Sequence, residues 1–353
     1  EHALLPVRLR ERVLLPGGWW LDRPIGPVAT TGTMPQGIAL SPTGSELAVV
    51  ESGFNPPALR ILDTPTLKQR TAIRLGGAFG KPLWIDGTHV LVAGANLDAI
   101  LDVDVADGSV TRIPTGKGTW PSAVALSPDR SLVASADDGS GTITLVAFPS
   151  GANARSVRVG DHPSDVVFSK DGRTLYVAIR GASEVDAVTV ATGTVAPIAT
   201  RLHPSALALS ANGSTLYVAE TDHDSVGVID TASGKRVRGI DVGLHDGRLH
   251  GYGASPNALV ERNGLLYVSL GAENAVAIVS GERVVTRVPT GWYPTGVALG
   301  DDGTLYVSDG KGEGTRANPQ FNPLVKGAYQ PSAGYVAARS WPMIWWRVKI
   351  CRY

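Results

Sequence analysis

Short alternating apolar runs, punctuated by tight-turn residues, fill most of this chain. Val166 and Phe168 precede a turn at Lys170-Asp171-Gly172, and Leu175 and Val177 follow it. Asp-Gly and Asn-Gly tolerate positive φ and so favour tight hairpins. Elsewhere a third run (Val226, Val228, Ile229) turns at Ser233-Gly234-Lys235 into a fourth, Val237 to Val242. Period-two alternation over such short runs predicts strands with one buried face. Four antiparallel strands per unit is the composition of one propeller blade.

The unit repeats. His-Pro-Ser-Asp-Val-Val-Phe-Ser-Lys-Asp-Gly-Arg-Thr-Leu-Tyr-Val-Ala runs from His162 to Ala178 and returns, with changes, from His203 to Ala219. Fainter copies surround Pro35, Pro121, Pro256 and Pro294, and the weakest surrounds Pro82. The anchor prolines 35, 82, 121, 163, 204, 256 and 294 are 38 to 52 residues apart, near the roughly 40–45 of a propeller blade. The expected fold is therefore all-β, a seven-bladed β-propeller of four-stranded antiparallel blades spanning residues 1–338 as one domain. After Pro294 one strand is missing. Residues Pro27–Thr31 are expected to supply it and close the ring without an open edge. Residues 339–353, with Trp341, Trp345, Trp346 and Cys351, follow neither strand nor helix periodicity and form an irregular tail.

The tag strands Leu175-Tyr176-Val177-Ala178, Leu216-Tyr217-Val218-Ala219, Leu266-Tyr267-Val268-Ser269 and Leu305-Tyr306-Val307-Ser308 resemble those of YVTN-repeat propellers. A narrower resemblance, to YncE-like bacterial propellers fused ahead of an alkaline-phosphatase-like phosphoesterase domain, rests on residues 291–298 and on Gly310-Lys311-Gly312-Glu313-Gly314 through Pro319. That resemblance implies a periplasmic or secreted bacterial protein. The phosphoesterase domain is absent from this sequence, so its chemistry does not transfer.

Charge narrows the partners. Lys+Arg and Asp+Glu both number 32, so the basic surface that marks nucleic-acid binding is missing. No apolar stretch approaches the roughly 20 residues of a membrane-spanning helix. A single cysteine leaves no intramolecular disulfide. A start at Glu1 without Met suits a processed secretory protein or a trimmed chain.

Alternating connections put the second-to-third loops and the blade-to-blade loops on one face of the disc. The residues preceding the anchors, Met34, Lys81, Trp120, His162, His203, Ser255 and Tyr293, are expected to ring the channel there. Five of the seven histidines map to this face, His162, His203, His223, His245 and His250, with Asp161, Glu220, Asp222, Asp224 and Asp246 among them. Imidazole and carboxylate donors suit a Zn²⁺-like divalent metal. The candidate ligands are His162, His203, Glu220, His223, His245 and His250. A metal with an open position would activate water against an ester, lactone or phosphoester. The long connections 243–255 and 310–332 are expected to overhang the same face, as lids or as tethers.

Two functional expectations follow from different classes. One is a metal-dependent hydrolase with a small-molecule substrate. The other is a non-catalytic binding or scaffold propeller of the cell envelope, with a partner protein possible. A redox or cofactor-binding propeller has no cysteine or haem-attachment signature behind it.

Overall fold

A computed structural model describes residues 27–53, 55–244 and 253–311, with short strands at 8–9, 12–14, 20–22 and 335–339. His245, His250, most of both long connections and the end of the chain lie outside the described residues, so the expectations placed on them are untouched.

Alternating sequence becomes alternating structure. Six blades are each built from four strands consecutive in the chain, at residues 35–74, 79–114, 121–158, 163–199, 204–241 and 256–289. We call them blades 1 to 6. A further four-stranded sheet is composite: Pro294–Leu299, Leu305–Asp309 and Tyr335–Arg339 are completed by Val28–Thr30. Thr30 is opposite Tyr335 and Val28 is opposite Ala337, antiparallel, where the missing strand was expected. Six blades, then, come from a single repeat each, and the last anchor needs a distant segment. A three-stranded sheet, Arg8–Leu9, Arg12–Leu14 and Trp20–Asp22, precedes the first blade and was not anticipated.

The second and third strands of each blade carry most of the fully buried side chains, among them Leu47, Leu59, Leu91, Ile100, Ile143 and Leu175. They pack face to face between neighbouring blades, so each hydrophobic cluster combines residues of two blades, as Ala136 and Ile143 do with Val177 and Ile179. The outer strands are mostly exposed or half-buried, with single buried positions such as Ile73 and Ile198.

The inner strands are tied edge to edge by a repeated polar device. In blades 3 to 6 and in the composite sheet, the residue after the strand-opening proline donates a side-chain hydrogen bond to the strand-opening carbonyl of the next sheet. Ser122 Oγ reaches Pro163 O at 2.9 Å, Ser164 reaches Pro204 at 3.1 Å, and Ser205 reaches Pro256 at 3.4 Å. Asn257 Nδ2 reaches Pro294 at 2.9 Å, and Thr295 Oγ1 reaches Pro35 at 2.6 Å. The last of these joins the end of the circuit to its beginning. Each bond satisfies a carbonyl that the inner edge would otherwise leave without a strand partner.

Blade 2 departs from the pattern. Its inner strand is Phe79–Trp84, so Phe79 stands at the strand opening and Pro82 lies inside. Lys81 is therefore not a pre-anchor residue on the rim. It sits two residues into the strand, at the level where blade 4 carries Asp165.

Candidate functional site

The rim is fixed by backbone geometry. Met34, Trp120, His162, His203, Ser255 and Tyr293, the residues before six strand openings, all have φ between 49° and 60°. Left-handed backbone is uncommon outside glycine and persists only when its surroundings hold it. Here every one of the six carbonyls accepts a hydrogen bond, 2.8 to 3.2 Å, from the amide that follows the second strand of its own blade. His162 accepts from Arg180 N and His203 from Thr221 N. Histidine is among the residues enriched in this conformation, which gives His162 and His203 a local structural reason for their positions.

The imidazoles turn to separate partners. His162 Nδ1 lies 3.3 Å from Asp138 Oδ1 of blade 3, whereas His203 Nδ1 pairs with Asp222 in its own blade. Both rings are well exposed. His223 Nδ1 is 3.2 Å from Ser225 Oγ, which itself donates to Glu220 Oε2 at 2.5 Å, so His223 donates through Nδ1. Among the described residues, no three His, Cys, Asp or Glu side chains are grouped to hold a metal ion. Of the predicted ligand set, the structure brings His203 and His223 to the same turn region and leaves each bound elsewhere.

Glu220 is placed differently from its expected role. It is fully buried, and its carboxylate takes Arg236 Nε at 2.7 Å, Arg236 Nη2 at 2.8 Å and the Arg201 amide at 3.0 Å. Burial pushes this carboxyl up, but the guanidinium, Ser225 and the Arg201 amide together hold it below the usual range. Every strong acceptor direction is used. Blade 1 has the same arrangement, with Glu51 gripping Arg60 and accepting the Gly32 amide at 2.8 Å. An acid closing the second strand thus pins the loop that enters its own blade, three residues before the opening proline in both cases. Glu220 is a structural carboxylate, not a free ligand.

The free charges lie in the channel instead. Two contiguous cavities, 270 Å³ on the rim side and 500 Å³ on the hairpin side, share Lys81, Ala123, Asp165, Leu207 and Leu259 in their walls. The third residue of each inner strand faces this space. It is Gly37, Ala123, Ala206, Ala258 and Gly296 in five sheets, but Lys81 in blade 2 and Asp165 in blade 4. A small residue is required where strands converge: a Cβ on Gly37 would stand 2.7 Å from Lys81 Cα. Arg180 and Tyr293 also line the rim-side cavity, and the Tyr293 ring carries the Lys311 ammonium 5.2 Å from its centroid.

Asp165 is held by amides from two blades. Its Oδ2 accepts Leu207 N of blade 5 at 2.7 Å, and its Oδ1 accepts Val166 N at 2.9 Å. Surrounding protein pushes its carboxyl up to about 6, against the lowering effect of these amides and of the Lys81 charge. Lys81 and Asp165 form no ion pair with each other among the described contacts, though both line the channel.

Comparison with known proteins agrees with this architecture. The Choice-of-anchor I domain family model matches residues 86–337, most of the chain. The chain belongs to that family. No curated protein matches its sequence. Among solved structures, the Kuenenia stuttgartiensis hydrazine synthase is similar at 23% identity, covering 80% of this chain and 94% of that one, with a TM-score of 0.65. A streptogramin B lyase is similar at 14% identity, covering 88% and 97%, with a TM-score of 0.67. A catalytically inactive variant of virginiamycin B lyase from Staphylococcus aureus, with quinupristin, is similar at 13% identity, covering 88% and 98%, with a TM-score of 0.66. At these identities the likeness is one of fold.

This choice-of-anchor I chain has no described helix long and apolar enough to cross a membrane. The family's description fits a cell-surface or secreted setting. The sequence held a signal for Asp165 that pattern reading passed over. His-Pro-Ser-Asp at 162–165 and His-Pro-Ser-Ala at 203–206 differ only at the third inner-strand position, which lines the channel. Lys81 was named for the right channel but assigned to its rim, because Pro82 imitates an anchor.

Proposed function

We propose that this protein is a non-catalytic binding propeller, displayed at the cell surface or secreted, whose ligand site is the central channel. The ring in this reading is seven-bladed and YVTN-like, with the composite sheet as its seventh blade. One observation supports it above all: the third position of the inner strands, which lines the channel, is glycine or alanine in five sheets and Lys81 and Asp165 in the other two. Ligand sites favour such concave spaces with few, placed polar groups.

A second reading, the metal-dependent hydrolase, keeps one specific support. His203 paired through Nδ1 with Asp222 leaves Nε2 outward, the orientation of a general base or of a ligand backed by a carboxylate. His162 with Asp138 repeats it more loosely.

One set of assays separates the readings. Purified protein is titrated calorimetrically with succinate, putrescine and γ-aminobutyrate, and assayed with p-nitrophenyl acetate and p-nitrophenyl phosphate, with and without added zinc and with chelator. The binding reading expects saturable binding of at least one probe and no turnover above buffer. Chelator-sensitive turnover that disappears in His203→Ala would replace it with the hydrolase.

A further inference from the structure

The inner-strand ring already consumes most of the channel's polar side chains. Ser122, Ser164, Ser205, Asn257 and Thr295 all donate to neighbouring carbonyls. Recognition by charge in the rim-side cavity therefore falls to Lys81, Asp165 and Arg180, with the Gln36 amide beside them in the lining. Two of these are cations and one is an anion: Lys81 stands on blade 2, while Asp165 and Arg180 both belong to blade 4. A ligand with negative charge alone would face Asp165, and one with positive charge alone would face Lys81 and Arg180. Only a molecule carrying both signs meets every charge with its opposite.

Resting on the channel reading above, we propose that the rim-side cavity binds a small zwitterion, its carboxylate facing Lys81 and Arg180 and its ammonium facing Asp165. The geometry of Asp165 suits an ammonium. Each of its oxygens is spent on one backbone amide, and a carboxylate oxygen can accept a second donor. The aspartate is therefore fixed in place while still open to the channel. Lys81 has the opposite character, an exposed ammonium on a flexible stem that can follow a carboxylate. Arg180, on the turn after the second strand of blade 4, adds a planar donor fork to the same lining. The 270 Å³ volume is near the lower end of small-molecule sites and favours an amino-acid-sized ligand. The Tyr293 ring, lining the same cavity, gives an apolar stem a surface to rest on.

Titration calorimetry at pH 7.5 with glycine, β-alanine, γ-aminobutyrate and 6-aminohexanoate tests this, with butyrate, hexanoate and butylamine as singly charged controls. The expected result is saturable binding by at least one amino acid, at least tenfold tighter than by its singly charged counterpart. Lys81→Ala and Asp165→Asn should each weaken it at least tenfold, with cooperative urea unfolding and a parent-like circular dichroism spectrum showing that both variants are folded. Butyrate binding as tightly as γ-aminobutyrate, and indifferent to Asp165→Asn, would overturn the zwitterion while leaving the channel as a ligand site. Failure of all four amino acids would overturn it as well. Succinate or putrescine binding lost in Lys81→Ala or Asp165→Asn would then show that the channel reading survives alone.

Discussion

Replacing Glu220 by Ala is expected to lower unfolding stability by about 3–5 kcal/mol, the usual cost of removing one partner from a buried ion pair. The structure states the reason residue by residue. Glu220 is wholly buried, and Arg236, itself mostly buried, loses both of its carboxylate contacts when the acid is removed. The Arg201 amide and the Ser225 hydroxyl lose their acceptor at the same time. Urea unfolding of the variant measures the loss. The double variant Glu220→Ala/Arg236→Met should recover a substantial part of it, because no unpaired cation then remains. A metal ligand would behave otherwise: its removal would cost metal affinity and leave the urea midpoint in place. A midpoint unchanged by Glu220→Ala would return this residue to the candidate ligand set.

Blade 3 presents the contrasting case, a buried acid without a cation. Asp137 closes the second strand as Glu220 does, but its partners are hydroxyls, Ser135 at 2.7 Å and Thr144 at 2.6 Å, with Thr142 at 3.3 Å. Burial pushes its carboxyl up to about 6, since hydroxyl bonds only partly replace lost hydration. The folded state thus holds its proton more tightly than the unfolded chain, where an aspartate titrates near 3.9. Its stabilising contribution is complete below the unfolded value and is lost as pH rises through about 6. A gap of roughly two units corresponds to about 3 kcal/mol at most. Asp137→Asn removes that titration. Its stability relative to the parent should therefore rise by up to about 3 kcal/mol between pH 4 and pH 8. Taking the difference cancels Asp165, which titrates in the same direction in both proteins. A difference that stays flat across this range would show that Asp137 is not perturbed.

The two acids also explain which parts of the molecule could be read from the chain. Blade architecture was legible because most repeats state it locally: a proline opens the inner strand everywhere but in blade 2, Asp-Gly or Asn-Gly turns close most of the hairpins, and Leu-Tyr-Val marks the second strand in blades 4 to 6 and the composite sheet. Even the strand shared by the ends of the ring could be placed, since the pattern after Pro294 lacked one member. Blade 2 misled because Phe79 does the work of the anchor while Pro82, three residues on, imitates it. The site was less legible for a physical reason. A carboxylate near histidines in sequence looks the same whether it faces solvent or an arginine. Arg236, sixteen residues beyond Glu220, has no local feature that announces the pairing. The repeat helps only in part: Glu51 and Glu220 both close the second strand, but Arg60 comes from the third strand and Arg236 from the fourth. Likewise His162 and His203 read as a metal pair when seen together, and as left-handed corners when set beside Met34, Trp120, Ser255 and Tyr293. Residues that differ between otherwise matching repeats, Lys81 and Asp165, were the better guide to a site.

In the proposed function, ligand recognition lies in the channel and not on the histidine rim. Calorimetric titration of three proteins side by side tests it most directly: the parent, Lys81→Ala/Asp165→Ala, and His162→Ala/His203→Ala, each with whichever of the small charged probes the parent binds most tightly. The channel double variant is expected to lose saturable binding while the rim double variant retains the parent's affinity. Binding abolished in the rim variant and preserved in the channel variant would contradict it.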